Sequence, residues 1–161
     1  MGTSSYDPSS LQDIAGRPDI VRLVDAFYLS VRADEKLGHV FDGVAKVQWE
    51  THLPKLYNFW DSVLFGAGSF RGNPIAAHAN LLPLTDLGWP LFEHWLDLFR
   101  RTVGEMFSGG RAGHIVRCAE DMACVIYSRI HGVPDPRFDP ERLTPEQQAR
   151  YASYRQNSTD N

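Results

Sequence analysis

Apolar residues recur at intervals of three and four along most of this chain, and alternation at every second position is almost absent. Such spacing is typical of amphipathic helices that bury one face. The first helix begins at Pro18, a favourable first-turn residue, and carries a stripe of positions that we expect to be buried. The stripe consists of Ile20, Leu23, Val24, Phe27 and Val31. The pattern predicts an all-α fold.

Two more helices are predicted before the middle of the chain. Asp34 is a suitable capping residue for a short helix that ends near Phe41. A longer helical pattern covers residues 47–65, but it contains Pro54, and proline disrupts the turn that precedes it. We therefore expect the regular helix to start only one or two residues before Pro54, with His52 in a loosened first turn.

The second half of the chain begins with a very short helix. Asn73 offers a cap and Pro74 a first-turn residue for this helix, which carries His78. Two longer apolar stripes follow, at residues 90–107 and 111–130, and a serine with two glycines separates them. These stripes predict the last two helices of the core.

The same pattern divides the chain into three parts. Residues 18–131 form the predicted helical domain, and residues 1–17 are expected to be a flexible N-terminal tail. Residues 132–161 include three prolines within eight positions, so we expect a Pro-rich and mostly disordered C-terminal tail. Thr144 and Gln147 have the spacing of a capping box, which allows a marginal helix inside that tail.

Composition and charge exclude several functions. A net charge of −4, with no cluster of Lys and Arg, leaves no electrostatic footprint for nucleic acid. No apolar run approaches the roughly 20 residues that span a bilayer, and the polar start lacks a signal core, so we expect no membrane partner. Cys118 and Cys124 are six positions apart in one predicted helix, so their thiols cannot pair. Free thiols favour a reducing compartment, and the expected location is the cytoplasm.

Two histidines in apolar surroundings are the first candidates for chemistry. His78 ends the very short helix and is followed by two leucines at positions 81 and 82. Imidazole is the commonest protein ligand of transition metals and the usual axial ligand of haem iron. The alternative is a core histidine that is satisfied by a backbone carbonyl. His52 shares a helix face with Leu56, so it either looks into the same cavity or is partly exposed near a helix start.

Aromatic residues with polar tips provide further candidates. Tyr28 and Trp95 lie in apolar stripes, so each needs a partner for its hydroxyl or indole donor if it is buried. That partner is either the backbone or a bound ligand. Glu93 and His94 lie just before Trp95 and are expected to face outward. Lys55 either pairs with an anionic group at a pocket mouth or is a solvated surface lysine.

Six short motifs occur in an order that resembles the truncated haemoglobins, and the pattern is similar to their third group. The resemblance covers about residues 18–130. The motifs are Phe27-Tyr28, Val31-Arg32, Leu37-Gly38-His39-Val40-Phe41, His52 with Asn58-Phe59-Trp60, Gly72-Asn73-Pro74 before His78, and Trp95-Leu96-Asp97-Leu98-Phe99. The resemblance implies a truncated globin domain over residues 18–131, a helical sandwich shortened from the globin plan, with a proximal helix of about one turn.

The resemblance also implies a cofactor site for haem b. His78 matches the proximal histidine that ligates the iron. Tyr28, His52 and Trp95 match the polar residues of the distal pocket, where His52 either ligates ferric iron or gates the pocket. Phe41 matches the phenylalanine that packs against the porphyrin.

Further cofactor contacts follow less directly from the same resemblance. Lys55 and Arg71 are at positions compatible with pairing to haem propionates. The loop after the proximal histidine looks a few residues longer than the family pattern, which makes Trp89 an addition that would cover the proximal haem edge. Phe70 stands where the family pattern has a tyrosine.

The function implied is binding or carriage of dioxygen, nitric oxide or another small diatomic ligand at a His-ligated iron. Three hydrogen-bond donors near one ligand would slow its release and favour redox chemistry. The alternative is therefore a haem enzyme that detoxifies nitric oxide or peroxide with an external reductase, because the sequence has no flavin or nicotinamide site. A third possibility is a helical protein without haem, whose histidines are structural.

Overall fold

The helices of the protein follow the apolar stripes of its sequence. A computed structural model describes residues 10–68, 72–139, 141 and 143–152. Its elements are α1 (Arg17–Ala33), α2 (Glu35–Gly38), a π-helical turn (His39–Val44), α3 (Trp49–Phe65), α4 (Pro74–Ala79), α5 (Trp89–Met106), α6 (Gly110–His131), a 3₁₀ turn (Pro136–Phe138) and α7 (Pro145–Arg150). Strands do not occur in these ranges, which confirms the predicted all-α class. Within the same residues, no helix combines the length and apolarity needed to cross a bilayer.

The core lies where the four long helices meet. α1 packs against both α3 and α5, and α5 packs against α6. Phe27 of α1 meets Phe99 of α5 edge-on at 5.1 Å between ring centroids, and Trp60 of α3 stacks on Phe99 at 5.3 Å. Each such buried side chain contributes roughly 1.5–3 kcal/mol to stability. This packing holds α1, α3 and α5 in fixed positions, so side chains at their ends can form a site.

The start of α3 differs from the prediction, which was wrong on this point. The helix begins at Trp49, well before Pro54, and its first turn is regular, because the His52 N–H donates to the Gln48 carbonyl at 2.9 Å. Pro54 removes only the hydrogen bond to the carbonyl of Glu50, four residues earlier. Glu50 is exposed, so water can serve that carbonyl in place of the missing donor.

The short helix α4 is confirmed, together with its predicted cap. The Asn73 side chain accepts a hydrogen bond from the Ala76 N–H at 3.0 Å, and Pro74 occupies the first turn. α4 has six residues and packs on α6. A helix of this length is not stable alone, so its cap and its contact with α6 determine where His78 lies.

Asp13 links the N-terminal segment to the start of α6. Its carboxylate accepts hydrogen bonds from the backbone N–H groups of Arg111 at 2.9 Å and Ala112 at 2.8 Å. The close approach requires glycine at position 109, because a Cβ there would lie 2.5 Å from Asp13 Cγ, and Gly109 has a φ of +145°. A residue far away in the sequence thus satisfies donors that the first turn of α6 leaves free.

Both predicted tails contribute buried side chains in the parts that the structure describes. Ile14 and Tyr151 are each 0% exposed and belong to the hydrophobic core. Residues 1–17 were expected to be flexible and residues 132–161 mostly disordered, and that expectation did not include the burial of these two side chains. Proline content predicts the absence of regular structure but not the absence of tertiary contacts. The division of the chain into three parts stays a prediction.

Glu93 faces inward, and the expectation that it faces outward was wrong. Its side chain is 8% exposed and pairs with Arg100 at 3.1 Å and with Arg150. It also accepts a hydrogen bond from the Tyr151 hydroxyl at 3.2 Å, while Arg100 reaches Glu120 at 2.9 Å. The physical reason is that the C-terminal segment supplies Arg150 and Tyr151 as partners, and a paired carboxylate can be buried.

Candidate functional site

Aromatic rings and one imidazole meet where α1, the π-helical turn, α3 and α5 come together. Tyr28 is at the centre, with its ring centroid 5.8 Å from Phe41, 5.5 Å from Trp49 and 6.4 Å from His52. Trp95 of α5 lies close enough to Tyr28 to lower the pKa of its phenol. We call these five residues the Tyr28 cluster. The structure thus brings together Tyr28, Phe41, His52 and Trp95, which the sequence predicted to share a pocket.

The Trp95 indole can act on the Tyr28 phenol in one way only. An indole nitrogen donates and does not accept, so Trp95 can serve the Tyr28 oxygen only as a donor. Burial raises the pKa of the Tyr28 phenol strongly, and Trp95 lowers it by a smaller amount. The phenol is therefore protonated at neutral pH and keeps its own hydrogen for another acceptor. Trp95 and Tyr28 therefore place two hydrogen-bond donors beside each other in the cluster.

His52 is a partly buried, neutral imidazole. Burial lowers the pKa of His52, and the charges of Lys55 and His78 act in the same direction. A neutral imidazole has one donor and one acceptor nitrogen, so it can respond to either kind of ligand atom. A protonated His78 on α4 would act on His52 of α3, so the two imidazoles lie within electrostatic range of each other.

His78 is held by the backbone of its own helix. Its Nδ1 lies 2.6 Å from the Pro74 carbonyl oxygen, and a carbonyl only accepts, so Nδ1 carries the hydrogen. In a neutral imidazole the lone pair is then on Nε2. Metal-ligating histidines are usually oriented by donation from the second ring nitrogen. The sequence allowed His78 to be either an iron ligand or a core histidine that is satisfied by a backbone carbonyl. These two interpretations are compatible, because the carbonyl accepts from Nδ1 and leaves Nε2 for a ligand.

Trp89 has a buried donor that no described residue satisfies. Its ring is 5% exposed, stacks on Phe92 at 6.2 Å and meets Tyr127 edge-on at 5.5 Å. Its Nε1–H has no hydrogen-bond partner in the structure. Leaving such a group unpaired costs about 1–3 kcal/mol, so the position favours an acceptor from a bound molecule. Phe92 also lies 6.3 Å from His78 between ring centroids and so connects Trp89 to it.

The donor set of this region fits a haem. Within the described ranges, three or more His, Cys, Asp or Glu side chains do not come together to hold a bare ion. Haem iron, in contrast, is typically held by one axial imidazole, because the porphyrin supplies the in-plane nitrogens. His78 offers that nitrogen, the rings of Phe41 and Phe92 offer apolar surface, and Trp89 offers a free N–H.

Two predicted edge contacts are not brought into the cluster. Lys55 is exposed on α3, one turn after His52, and its charge acts on that imidazole. Arg71 lies outside the residues that the structure describes, as does Phe70. The predicted pairing of Lys55 and Arg71 with propionates therefore stays a prediction.

Sequence reasoning missed two aromatic residues of the site, Trp49 and Phe92. Each lies three positions before a predicted site residue on the same helix, Trp49 before His52 and Phe92 before Trp95, and residues three apart share a helix face. That spacing was the available signal. Trp49 escaped because α3 was expected to begin after it.

The architecture is that of a shortened globin. Compared with solved structures, the chain matches the crystal structure of group III truncated haemoglobin from Campylobacter jejuni with a TM-score of 0.64 and 27% sequence identity. The match covers 73% of this chain and 92% of that one. The predicted globin-like helical sandwich is confirmed.

The sequence comparison identifies the family. The group 3 truncated haemoglobin ctb of Campylobacter jejuni is 32% identical over 107 residues, which covers 65% of this chain and 82% of that protein. A scan against protein-family models gives no match. The chain belongs to the group 3 truncated haemoglobins, as the six motifs of its sequence predicted.

Proposed function

We propose that this chain is a haem b protein that binds dioxygen and other diatomic ligands at an iron held by His78. The main support for this proposal is the orientation of the His78 ring. Its Nδ1 is held by the Pro74 carbonyl, so Nε2 is left for the metal. Membership of the truncated haemoglobins supports the same cofactor. When bound, haem supplies the iron at which small diatomic gases coordinate.

The residues of the Tyr28 cluster have separate roles in this proposal. Tyr28 donates its hydrogen to the ligand, and Trp95, whose indole acts on the same phenol, supplies a further donor. His52 is neutral and partly buried, so it closes the pocket as a gate and supplies a second polar contact. Phe41 packs against the porphyrin from the π-helical turn.

The edge of the cofactor is assigned to three further side chains. The unpartnered N–H of Trp89 supports a hydrogen bond to a haem carboxylate on the proximal side. Lys55 is exposed beside His52, which suits an ion pair with a propionate at the pocket mouth. Arg71 is proposed for the second propionate on the family resemblance alone.

A second function is favoured by the two donors themselves. Trp95 and the buried, protonated Tyr28 phenol lie together, where they can stabilise charge on a reacting ligand. This suits the detoxification of nitric oxide or peroxide with electrons from an external reductase. Several turnovers for each chain, in the presence of reductant, distinguish such an enzyme from a binding protein.

We also propose that the protein works in the cytoplasm. Cys118 and Cys124 are both free thiols on α6, and Cys124 is fully buried. Two thiols without a disulfide suit a reducing compartment.

The experiment that tests the proposed function removes the iron ligand. In His78→Ala, haem affinity is expected to fall by more than roughly 100-fold, because removing a residue that only supports a metal ligand already costs up to that much. The Soret absorption of the haem-loaded protein is also expected to change. The matched control is His114→Ala, which removes an exposed imidazole from α6. It should keep the native spectrum. Full haem occupancy with an unchanged spectrum in His78→Ala would overturn the assignment, and a chain that takes up no haem would support the structural interpretation of both histidines.

A further inference from the structure

Trp49 is held from three sides at the edge of the Tyr28 cluster. Its indole N–H donates to Asp42 Oδ1 at 2.7 Å. Its ring stacks on Phe41 with centroids 5.9 Å apart and planes 23° from parallel. The Arg32 guanidinium lies 4.9 Å from the centroid of the same ring, within the range of a cation–π interaction. These contacts leave the indole one orientation.

Asp42 and Arg32 are also joined to each other. Arg32 Nε donates to Asp42 Oδ2 at 3.3 Å, while the other carboxylate oxygen serves Trp49. The hydrogen bond from Trp49 lowers the pKa of Asp42, burial opposes this slightly, and Arg32 lowers it further. The carboxylate is therefore ionised at neutral pH. We call Arg32, Asp42 and Trp49 the Trp49 clamp, which connects α1, the π-helical turn and α3.

The inner face of the clamp contacts two residues that the proposed function uses. The Trp49 ring is 5.7 Å from His52, with the ring planes at 82°, and 5.5 Å from Tyr28. His52 follows Trp49 by three positions, so both side chains project from one face of the first turn of α3. The indole therefore forms a wall beside the imidazole and limits the directions in which that imidazole can move.

The outer side of the clamp is solvent-accessible. The Arg32 and Asp42 side chains are 48% and 41% exposed. Exposed ion pairs contribute little to global stability. The charged residues are thus better explained by the orientation that they impose on Trp49 than by their contribution to the folded state.

We propose that Trp49, held by Asp42 and Arg32, is a positioning residue that keeps His52 against Tyr28 and so prolongs the residence of a bound diatomic ligand. The inference rests on the proposed function. Without the indole wall, the imidazole gains rotamers that point to solvent, and water reaches the Tyr28 hydroxyl and competes for its hydrogen.

The first test measures dioxygen dissociation from the haem-loaded protein. In Asp42→Ala and in Trp49→Phe, which both remove the indole hydrogen bond, the dissociation rate is expected to rise roughly fivefold, the effect of one lost hydrogen bond. Asp42→Asn keeps an acceptor oxygen for the indole and should restore a rate close to the native one. The matched control is Glu50→Ala, which removes an exposed carboxylate next to Trp49 and should leave the rate unchanged.

The second test does not depend on ligand chemistry. Nuclear Overhauser contacts between the His52 and Tyr28 rings are expected in the native protein and in Glu50→Ala, and should weaken in Asp42→Ala and Trp49→Phe. If these contacts and the dissociation rates are the same in all variants, the clamp is overturned while haem binding stands. If the native protein binds no haem, the proposed function fails. In that case the clamp is still tested by the contacts between the His52 and Tyr28 rings, and it is overturned if they persist in every variant.

Discussion

Glu93 is a buried carboxylate whose partners are Arg100 on the same helix and Arg150 and Tyr151 of the C-terminal segment. Removing it in Glu93→Ala would leave Arg100 in a pocket with fewer acceptors, where its side chain is 18% exposed. We expect the free energy of unfolding to fall by about 3 kcal/mol, the lower end for a broken buried pair, because Arg100 keeps Glu120. Urea unfolding at neutral pH measures this loss.

Asp97 provides the matched control at the same arginine. It pairs with Arg100 at 2.9 Å, but its side chain is 50% exposed. Asp97→Ala should therefore cost less than about 1 kcal/mol, as for other exposed pairs. Equal losses in Glu93→Ala and Asp97→Ala would show that burial does not set the strength of these interactions.

At the scale of single residues, the sequence predicts the role of a side chain when nearby residues in the sequence determine its surroundings. His78 could be singled out because Asn73 and Pro74 define its short helix, and Tyr28 because it lies in an apolar stripe. Trp49 and Glu93 could not be placed, since the partners that fix them, Asp42 and Arg150, meet them only in the folded chain. A residue whose role depends on a distant partner has no signature in its own neighbourhood.

Helix α4 is the element on which the iron site depends most directly. Its cap, Asn73, satisfies the Ala76 N–H, and an Asn→Ala change at such a position costs about 1 kcal/mol. In Asn73→Ala we expect α4 to lose order, and because α4 carries His78, haem should bind roughly fivefold more weakly. Titration of the protein with haem measures the affinity.

The other end of the same helix supplies the comparison. Asn80 is exposed and follows the last residue of α4. Asn80→Ala should leave haem affinity near the native value, since the side chain caps no N-terminal donor of the helix. If both asparagine variants bind haem as the native protein does, the order of α4 is independent of its cap.

The elements themselves could largely be predicted, but not their exact starts or their pitch. Apolar spacing reports which face of a helix is buried, so α1, α5 and α6 were found within one or two residues. It does not report where the first turn begins, which is why Pro54 misled the prediction for α3. The π-helical turn at His39–Val44 widens the helix locally and carries Phe41 and Asp42 to the cluster. Spacing alone does not encode such a change of pitch.

The whole molecule joins its N-terminal segment to α6 through Asp13, and this contact makes stability depend on pH. Burial raises the pKa of Asp13, but hydrogen bonds from the N–H groups of Arg111, Ala112 and Ile14 outweigh it, so the pKa is lowered on folding. The contact stabilises the protein above the unfolded pKa of about 4, and the stabilisation is lost as the pH falls through the folded value.

Asp13→Asn should therefore flatten the acid side of the stability profile. As the pH falls below about 4, the native protein is expected to lose more stability than the variant, because asparagine does not titrate. Urea midpoints measured across this range test the effect. Asp86→Asn, at an exposed position before α5, should follow the native curve. Coinciding curves for Asp13→Asn and the native protein would contradict the role given to this carboxylate.

At this largest scale the sequence predicted the helical domain and its family but not the packing of its ends. The described segment after residue 132 contains the 3₁₀ turn at Pro136–Phe138 and helix α7 at Pro145–Arg150, so its proline content understates its regular structure. The prolines carried no information about Tyr151, which is buried and forms hydrogen bonds with Glu93 and Arg100 of α5. Local composition bears on backbone regularity, whereas burial depends on the surface that the rest of the chain presents.

The cap that Asp13 places on α6 also has a consequence for the order in which the protein folds. The two partners, Asp13 and Ala112, are separated by 99 positions, so the contact closes a loop that contains helices α1 to α5. Closing so long a loop is entropically unfavourable until the intervening helices have already brought its ends together. The first turn of α6 therefore acquires its cap late, and the Asp13 contact contributes to the barrier against unfolding more than to the speed of folding.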